Sequence, residues 1–375
     1  MSSRSVLRVL FIVDHLDSGG APVVVRDLIA GMVTVGAEVT LLILSARKSH
    51  PLPAEVHLVT MPYVVDGNLS RWMRYWAHAK MLDRWLKEQE HAFDRVYAHL
   101  HHAHQVVSRS RIRDVAWYCL HADPVIGFLG NKHGFSRWLK KRKVRALYQG
   151  RKLVTVSQAM LDRLCLHFGV TPSRGVAIHN PVAIDSIRRL ASRAIDDVPD
   201  DYLIYVGRMD IRQKRLDRLL DAYLASGTVL PLIMVGGGTG LDEVRSMIKQ
   251  RQLEGRVLTL GPQENPYPYI DRARALLLSS DYEGFPLVLL EALACQTPVI
   301  SVDCPTGPAE ILTDGLAPWL VPLDSIEAFA ACIARLVKDT PQIDETQCEH
   351  YRLENVVERY LALSDDHRGA ADLAP

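Results

Sequence analysis

Two carboxylates, Glu283 and Glu291, flank a helix start in the run EGFPLVLLE, with seven residues between them. Glu283 falls in a Gly/Pro turn, SSDYEGFP, at the end of an apolar strand pattern. There it either accepts hydrogen bonds from sugar hydroxyls or caps the helix. Pro286 is tolerated in a first helical turn because its missing N–H would be unpaired anyway. The neighbouring amides then stay free to receive an anion. Glu291 sits among apolar helical residues and needs a partner if buried; ribose hydroxyls or a backbone amide would both serve. Arg208 and Lys214 follow another strand end. Arg grips a diphosphate with two parallel bonds and Lys meets it as a point charge. The alternative is a solvated loop, and the adjacent Arg212 and Arg215 read as just that. His121, at a third strand end, is the acid/base or hydrogen-bonding candidate, although a lone His is more often structural. Gly19 and Gly20 precede an amphipathic helix, where bare backbone lets a ligand approach closely. Many strand–helix turns carry glycine for geometry alone. His99, His101, His102 and His104 invite a metal reading, but no Cys or Glu accompanies them at ligand spacing, which favours lining or capping roles.

These residues need elements that bring them to strand ends. Apolar strand patterns at 6–13, 38–44, 56–61, 95–99, 115–120, 153–156 and 176–178 alternate with helical patterns near 23–35, 70–90 and from 158. A polar run at 196–201 separates them from a second series at 202–206, 230–235, 256–260, 276–278, 298–302 and 319–321. Strands alternating with helices predict an α/β protein of two doubly wound parallel-sheet domains, at 1–190 and 200–350. A last helix is expected at about 352–364, followed by a disordered tail from Asp365.

The 375 residues exceed a usual single domain, and 48% hydrophobic with 23% charged residues is ordinary for a globular protein. No apolar run reaches the length of a membrane span. The N-terminus reads as a buried strand rather than a signal peptide, since Arg8 interrupts it and no small-residue cleavage site follows. Six cysteines without a CxxC pair suggest reduced thiols. The net charge of +1 hides an asymmetry: residues 1–190 hold 27 basic and 14 acidic side chains, the remainder 17 and 29. Two stretches, 132–152 (KHGFSRWLKKRKVRALYQGRK) and 71–76 (RWMRYW), interleave cations with aromatics. That composition suits contact with an anionic membrane surface better than a helix packed on its own sheet. No nucleic-acid recognition motif accompanies the charge, so nucleic acid is not expected as a partner.

Four pieces together carry a family resemblance: VGRMDIRQK (206–214), VGGG (235–238), EGFPLVLLEAL (283–293) and DCPTGPAEIL (303–312). The chain resembles the retaining family 4 glycosyltransferases of GT-B fold, two Rossmann-like domains facing across a cleft. The resemblance implies that the C-terminal helix packs back on an acceptor-binding first domain, while the second domain binds a nucleotide-sugar. It implies Arg208 and Lys214 on the donor diphosphate, and Glu283 with the backbone amides around Gly284, Phe285, Pro286 and Leu287 on donor sugar and phosphates. Pro286 itself has no N–H to offer. Glu291 would bind the ribose, Gly19 and Gly20 would approach phosphate and acceptor, and His121 would contact the transferred sugar. The CPTGPAEIL variant looks like that of members using UDP-sugars for bacterial surface glycans: a lipopolysaccharide core, capsule or lipid-linked acceptor. Such enzymes need no cofactor and no metal, and no DxD motif stands out here. They work in the cytoplasm, peripherally on the inner face of the cytoplasmic membrane. Ala122-Asp123 and Asn180-Pro181 depart from the common His-Asp and Asn-Gly of the family. The competing readings are a UDP-sugar epimerase of the same fold and a non-catalytic nucleotide-sugar-binding protein.

Overall fold

A computed structural model describes residues 6–17, 19–45, 51–63, 68–196 and 198–363. Ser18, Asp197, the tail from Asp365 and the side chains of Arg71 and Trp72 lie outside the described set. The chain divides into two compact units, Met1–Pro181 with Leu353–Pro375, and Val182–Arg352.

Among the described residues the first unit holds seven strands: β1 Arg8–Val13, β2 Glu38–Ile43, β3 His57–Thr60, β4 Arg95–His99, β5 Trp117–Leu120, β6 Lys152–Thr155 and β7 Arg174–Ala177. All pair in parallel, in the order β3-β2-β1-β4-β5-β6-β7. Strands covered on both faces read as unbroken apolar runs, and Val9, Leu10, Phe11 and Ile12 are fully buried. Helix Gly20–Thr34 buries Val24, Val25, Leu28, Ile29 and Met32, the stripe of an amphipathic helix. It starts earlier than its sequence suggests, because Gly19 at φ 119° turns the chain and Pro22 fits the first turn. Helix Leu353–Leu361 packs on it at Gly31, where an added Cβ would stand 2.7 Å from Val357 Cγ2. Tyr97 Oη donates to the Tyr360 carbonyl at 2.7 Å, tying that last helix to the same sheet.

The second unit holds β8 Leu203–Val206, β9 Leu232–Val235, β10 Val257–Gly261, β11 Ala275–Leu278, β12 Val299–Val302 and β13 Leu320–Val321. These too are parallel, in the order β10-β9-β8-β11-β12-β13. This unit begins at Val182 rather than near 200, because helix Ile184–Ala191 packs against helices Tyr267–Asp271 and Leu287–Ala294. In each sheet the strand order reverses beside one strand: β1 lies between β2 and β4, and β8 between β9 and β11. Open α/β sheets bind ligands at the carboxyl ends of the strands at such a reversal. All six cysteines are free. Among the described residues no helix is long and apolar enough to cross a membrane.

Candidate active site

The reversal point of the second sheet gathers Arg208, Lys214 and Glu283. Past β8 the chain makes a short helix, Ile211–Lys214, capped by Asp210, which accepts from the Gln213 amide. Past β11 it makes the turn to helix Leu287–Ala294. Gln213 links the two, receiving the Arg208 guanidinium at 2.9 Å and donating to the Tyr282 carbonyl at 3.2 Å. Lys214 Nζ stands 2.5 Å from Glu283 Oε1, with side chains 13% and 10% exposed. Ser280 Oγ donates to the same carboxylate oxygen at 2.6 Å, so Glu283 is both charge-paired and hydrogen-bonded, as a buried carboxylate requires. Arg208 is exposed, and its carbonyl accepts from Tyr205 Oη at 2.8 Å. Burial and the Glu283 charge both push the Tyr205 phenol upward, so it stays a neutral donor.

Glycine decides how closely these loops approach. A Cβ at Gly236 would lie 1.9 Å from the Gly207 carbonyl oxygen, and one at Gly240 2.3 Å from that of Met209. The glycine run after β9 therefore buttresses the loop carrying Arg208. Gly307, at φ 97°, lies against the other turn: a Cβ there would meet Pro286 Cδ at 2.6 Å and Phe285 Cα at 3.0 Å. Thr306 holds a left-handed φ of 65° and its hydroxyl donates to the Glu283 carbonyl.

Helix Leu287–Ala294 begins after Pro286 with no side chain capping its N-terminus, which leaves its first amides and positive dipole end available to an anion. Gly284 and Leu287 are half-buried, whereas Phe285 is buried with its ring 5.6 Å from Tyr351. Phe285 thus offers a ligand its backbone, not its ring. Glu291 lies one turn on from Leu287 and is half-buried.

Arg215 is not a solvated loop residue. At φ 48° it turns back to meet Asp217 at 2.9 Å and Asp281 at 3.1 Å, while Arg218, 5% exposed, bonds Asp281 and the Ser279 carbonyl. This network pins the loop after β8 to the turn after β11. Its sequence signal was the acid at 281 in the same turn as Glu283. Arg212 is exposed, as expected.

The reversal point of the first sheet gathers a different set. Gly19 and Gly20 follow β1 and are exposed. Asp14, at the end of β1, accepts from the amides of His102 at 2.9 Å and Ala103 at 2.5 Å, capping helix His101–Val107 from outside. The histidines take separate partners. His104 bonds Tyr148 Oη and the Ala98 carbonyl, each at 2.9 Å, and His78 meets His102 at 3.1 Å. Among the described residues no group of three or more His, Cys, Asp or Glu is arranged to hold a metal ion. His121 follows β5, with Nε2 2.8 Å from Nδ1 of His99. Burial pushes His121 down to about 4 and His99 well below its ordinary range, so the pair is neutral at pH 7. Asp123 accepts from the Val125 and Ile126 amides at the next helix and pairs with Arg163 at 2.9 Å.

Two family models match the chain. Glycosyltransferase Family 4 covers residues 18–186 and Glycosyl transferases group 1 covers 191–352. N-acetylgalactosamine-N,N'-diacetylbacillosaminyl-diphospho-undecaprenol 4-alpha-N-acetylgalactosaminyltransferase of Campylobacter jejuni is 25% identical over 333 residues, 86% of this chain and 88% of that one. The lipopolysaccharide 1,6-galactosyltransferase of Escherichia coli is 29% identical over 211 residues, 55% of each chain. Among solved structures, the apo lipopolysaccharide outer core galactosyltransferase WaaB matches with a TM-score of 0.70 at 20% identity, over 95% of this chain and 98% of that one. The two models together span most of both units and include Gly19, Gly20, His121, Arg208, Lys214, Glu283 and Glu291, and the chain belongs to the family 4 glycosyltransferases of GT-B fold.

Proposed function

We propose that this glycosyltransferase moves a hexose or N-acetylhexosamine from a UDP-sugar to a lipopolysaccharide, capsule or lipid-linked glycan, with retention of configuration. One observation carries the proposal: a buried Lys214–Glu283 pair beside the uncapped N-terminus of helix Leu287–Ala294, with Arg208 on the adjoining loop. That set offers two cations and backbone amides to a diphosphate and a carboxylate to sugar hydroxyls. As the bond from the anomeric carbon to the β-phosphate oxygen breaks, its electron pair passes to the diphosphate. Arg208, Lys214 and the amides stabilise that growing charge. The acceptor oxygen bonds to the anomeric carbon on the same face and gives its proton to the departing phosphate oxygen. With the charge met by side chains and amides, neither metal nor cofactor is required.

The activity of the Campylobacter jejuni relative, transfer onto a diphospho-undecaprenol-linked sugar, supports a lipid-linked acceptor. A surface of the first unit supports the same reading. On helix Gly134–Tyr148, Phe135 and Trp138 are 75% and 50% exposed, their rings stacked at 5.4 Å. Leu139 is exposed beside them, the Arg142 guanidinium lies 5.0 Å from the Trp138 ring, and Lys132, Lys143 and Arg145 are exposed along the same stretch. Exposed aromatics interleaved with cations suit the headgroup layer of an anionic membrane. The enzyme then works peripherally at the inner face of the cytoplasmic membrane.

The test presents a polyprenyl-diphosphate-linked glycan in phosphatidylglycerol vesicles with radiolabelled UDP-hexoses or UDP-N-acetylhexosamines. Label is expected in the organic extract as an α-linked sugar. The protein is expected to float with the vesicles at low salt, and the Phe135→Ser/Trp138→Ser variant to stay behind. A β-linked product would end the retaining mechanism, and wild type left unfloated would end the membrane claim.

A further inference from the structure

His99 lies at the end of β4, 0% exposed, with its ring stacked 5.5 Å from Phe11 and 5.1 Å from His121. Its Nδ1 is 2.8 Å from His121 Nε2. The far nitrogens, His99 Nε2 and His121 Nδ1, are buried and have no hydrogen-bond partner among the described residues. Two neutral imidazoles in this arrangement share one N–H···N bond. One far nitrogen then carries a hydrogen, and the other is a bare lone pair. A buried N–H without an acceptor is rarer than a buried acceptor without a donor. The leftover N–H therefore belongs on the less enclosed ring. His99 is sealed in the core, whereas His121 is only half-buried, just past a strand end.

We propose that His99 is a positioning residue: it donates from Nδ1 to His121 Nε2 and so holds His121 as the Nδ1–H tautomer, a fixed hydrogen-bond donor rather than a base. The effect on transfer rests on the function proposed above; the tautomer does not. The direction of the bond leaves His121 with no basic nitrogen. It therefore acts by donating a hydrogen bond and does not accept the proton of the acceptor hydroxyl. Burial keeps both rings uncharged at neutral pH, which preserves this single arrangement.

Two variants separate positioning from packing. His99→Phe keeps an aromatic ring against Phe11 but cannot donate. His99→Asn places an amide N–H near the position of Nδ1. In 15N-labelled protein, long-range 1H–15N spectra at pH 7 report each histidine tautomer. The Nδ1–H form of His121 is expected in wild type and in His99→Asn, and its loss in His99→Phe. Transfer from the UDP-sugar is expected to fall about tenfold in His99→Phe and to recover in His99→Asn. The Nε2–H form of His121 in wild type would overturn the proposal. So would a His121 tautomer unmoved by His99→Phe. If wild type transfers nothing from any UDP-sugar, the donor reading fails, and the tautomer still decides for or against the positioning role of His99.

Discussion

At the scale of single residues, Glu283 makes the sharpest prediction. Its carboxylate is shared between Lys214 and Ser280. Glu283→Gln keeps the shape and an acceptor for Ser280 but removes the charge that Lys214 meets. Sugar transfer should then fall roughly a hundredfold, while UDP affinity, resting on Arg208, Lys214 and helix amides, should change little. Steady-state kcat with a calorimetric Kd for UDP reads both, and an unchanged kcat would remove Glu283 from the mechanism. Arg208, Lys214 and Glu283 were legible as candidates because each sits in a short polar turn at the end of an apolar strand. The His99–His121 bond was not. The parallel β4–β5 pairing sets His99 opposite Cys119 and so brings His121 within reach, a tertiary fact with no signal along the chain. Arg215 was misread for a related reason. Its left-handed backbone turns it toward Asp281, and nothing in RQKRLD announces that conformation. Arg218 and Asp281, which complete that network, went unnoticed.

At the scale of elements, the start of helix Leu287–Ala294 is held by a neighbouring loop rather than by its own cap. Gly307 at φ 97° allows the loop after β12 to touch Pro286 and Phe285, and Thr306 fixes the Glu283 carbonyl. Gly307→Ala adds a Cβ in a backbone region that side chains avoid, against backbone and ring atoms that cannot swing away. The turn that presents Glu283 and the helix amides must shift. The donor KM is expected to rise about tenfold or more, as misplaced binding groups lose alignment. Gly315→Ala, with open space around it and no positive φ, should leave the KM unchanged. Equal KM values for the two variants would show that the loop does not position the turn. The parallel strands and their order of helices were readable from apolar runs and glycine punctuation. The helix ends were less so, because Gly19 and Pro286 act as N-caps without a Ser, Thr or Asp to mark them.

At the scale of the whole molecule, chemistry is unevenly divided. Of the histidines, all but His350 and the one at 367 fall within the span of the first unit before Pro181. His78, His99, His104 and His121 all have pKa values lowered by burial, His121 to about 4 and His104 to about 3. Their folded values lie below the roughly 6.5 of an unfolded His, so the unfolded chain binds more protons between the two. Stability from these groups is fully present above about pH 6.5 and is lost as pH falls toward about 4. Hydrogen–deuterium exchange between pH 7 and 5 should show the first unit losing protection before the second. Parallel loss in both units would contradict this division. The basic first half was legible as a charge count, and so was its aromatic surface. The boundary at Val182 was not, because helix Ile184–Ala191 continues the chain past Pro181 with no break in composition.

The central claim is that the loop after β8 and the turn after β11 form the site of a UDP-sugar. Calorimetric titration of the purified chain with UDP, GDP and ADP tests it most directly, with Lys214→Ala and Arg208→Ala beside the wild type. Wild type is expected to bind UDP more tightly than GDP or ADP, and each variant to weaken UDP binding about tenfold or more. Preference for GDP or ADP, or UDP binding that neither variant changes, would contradict it.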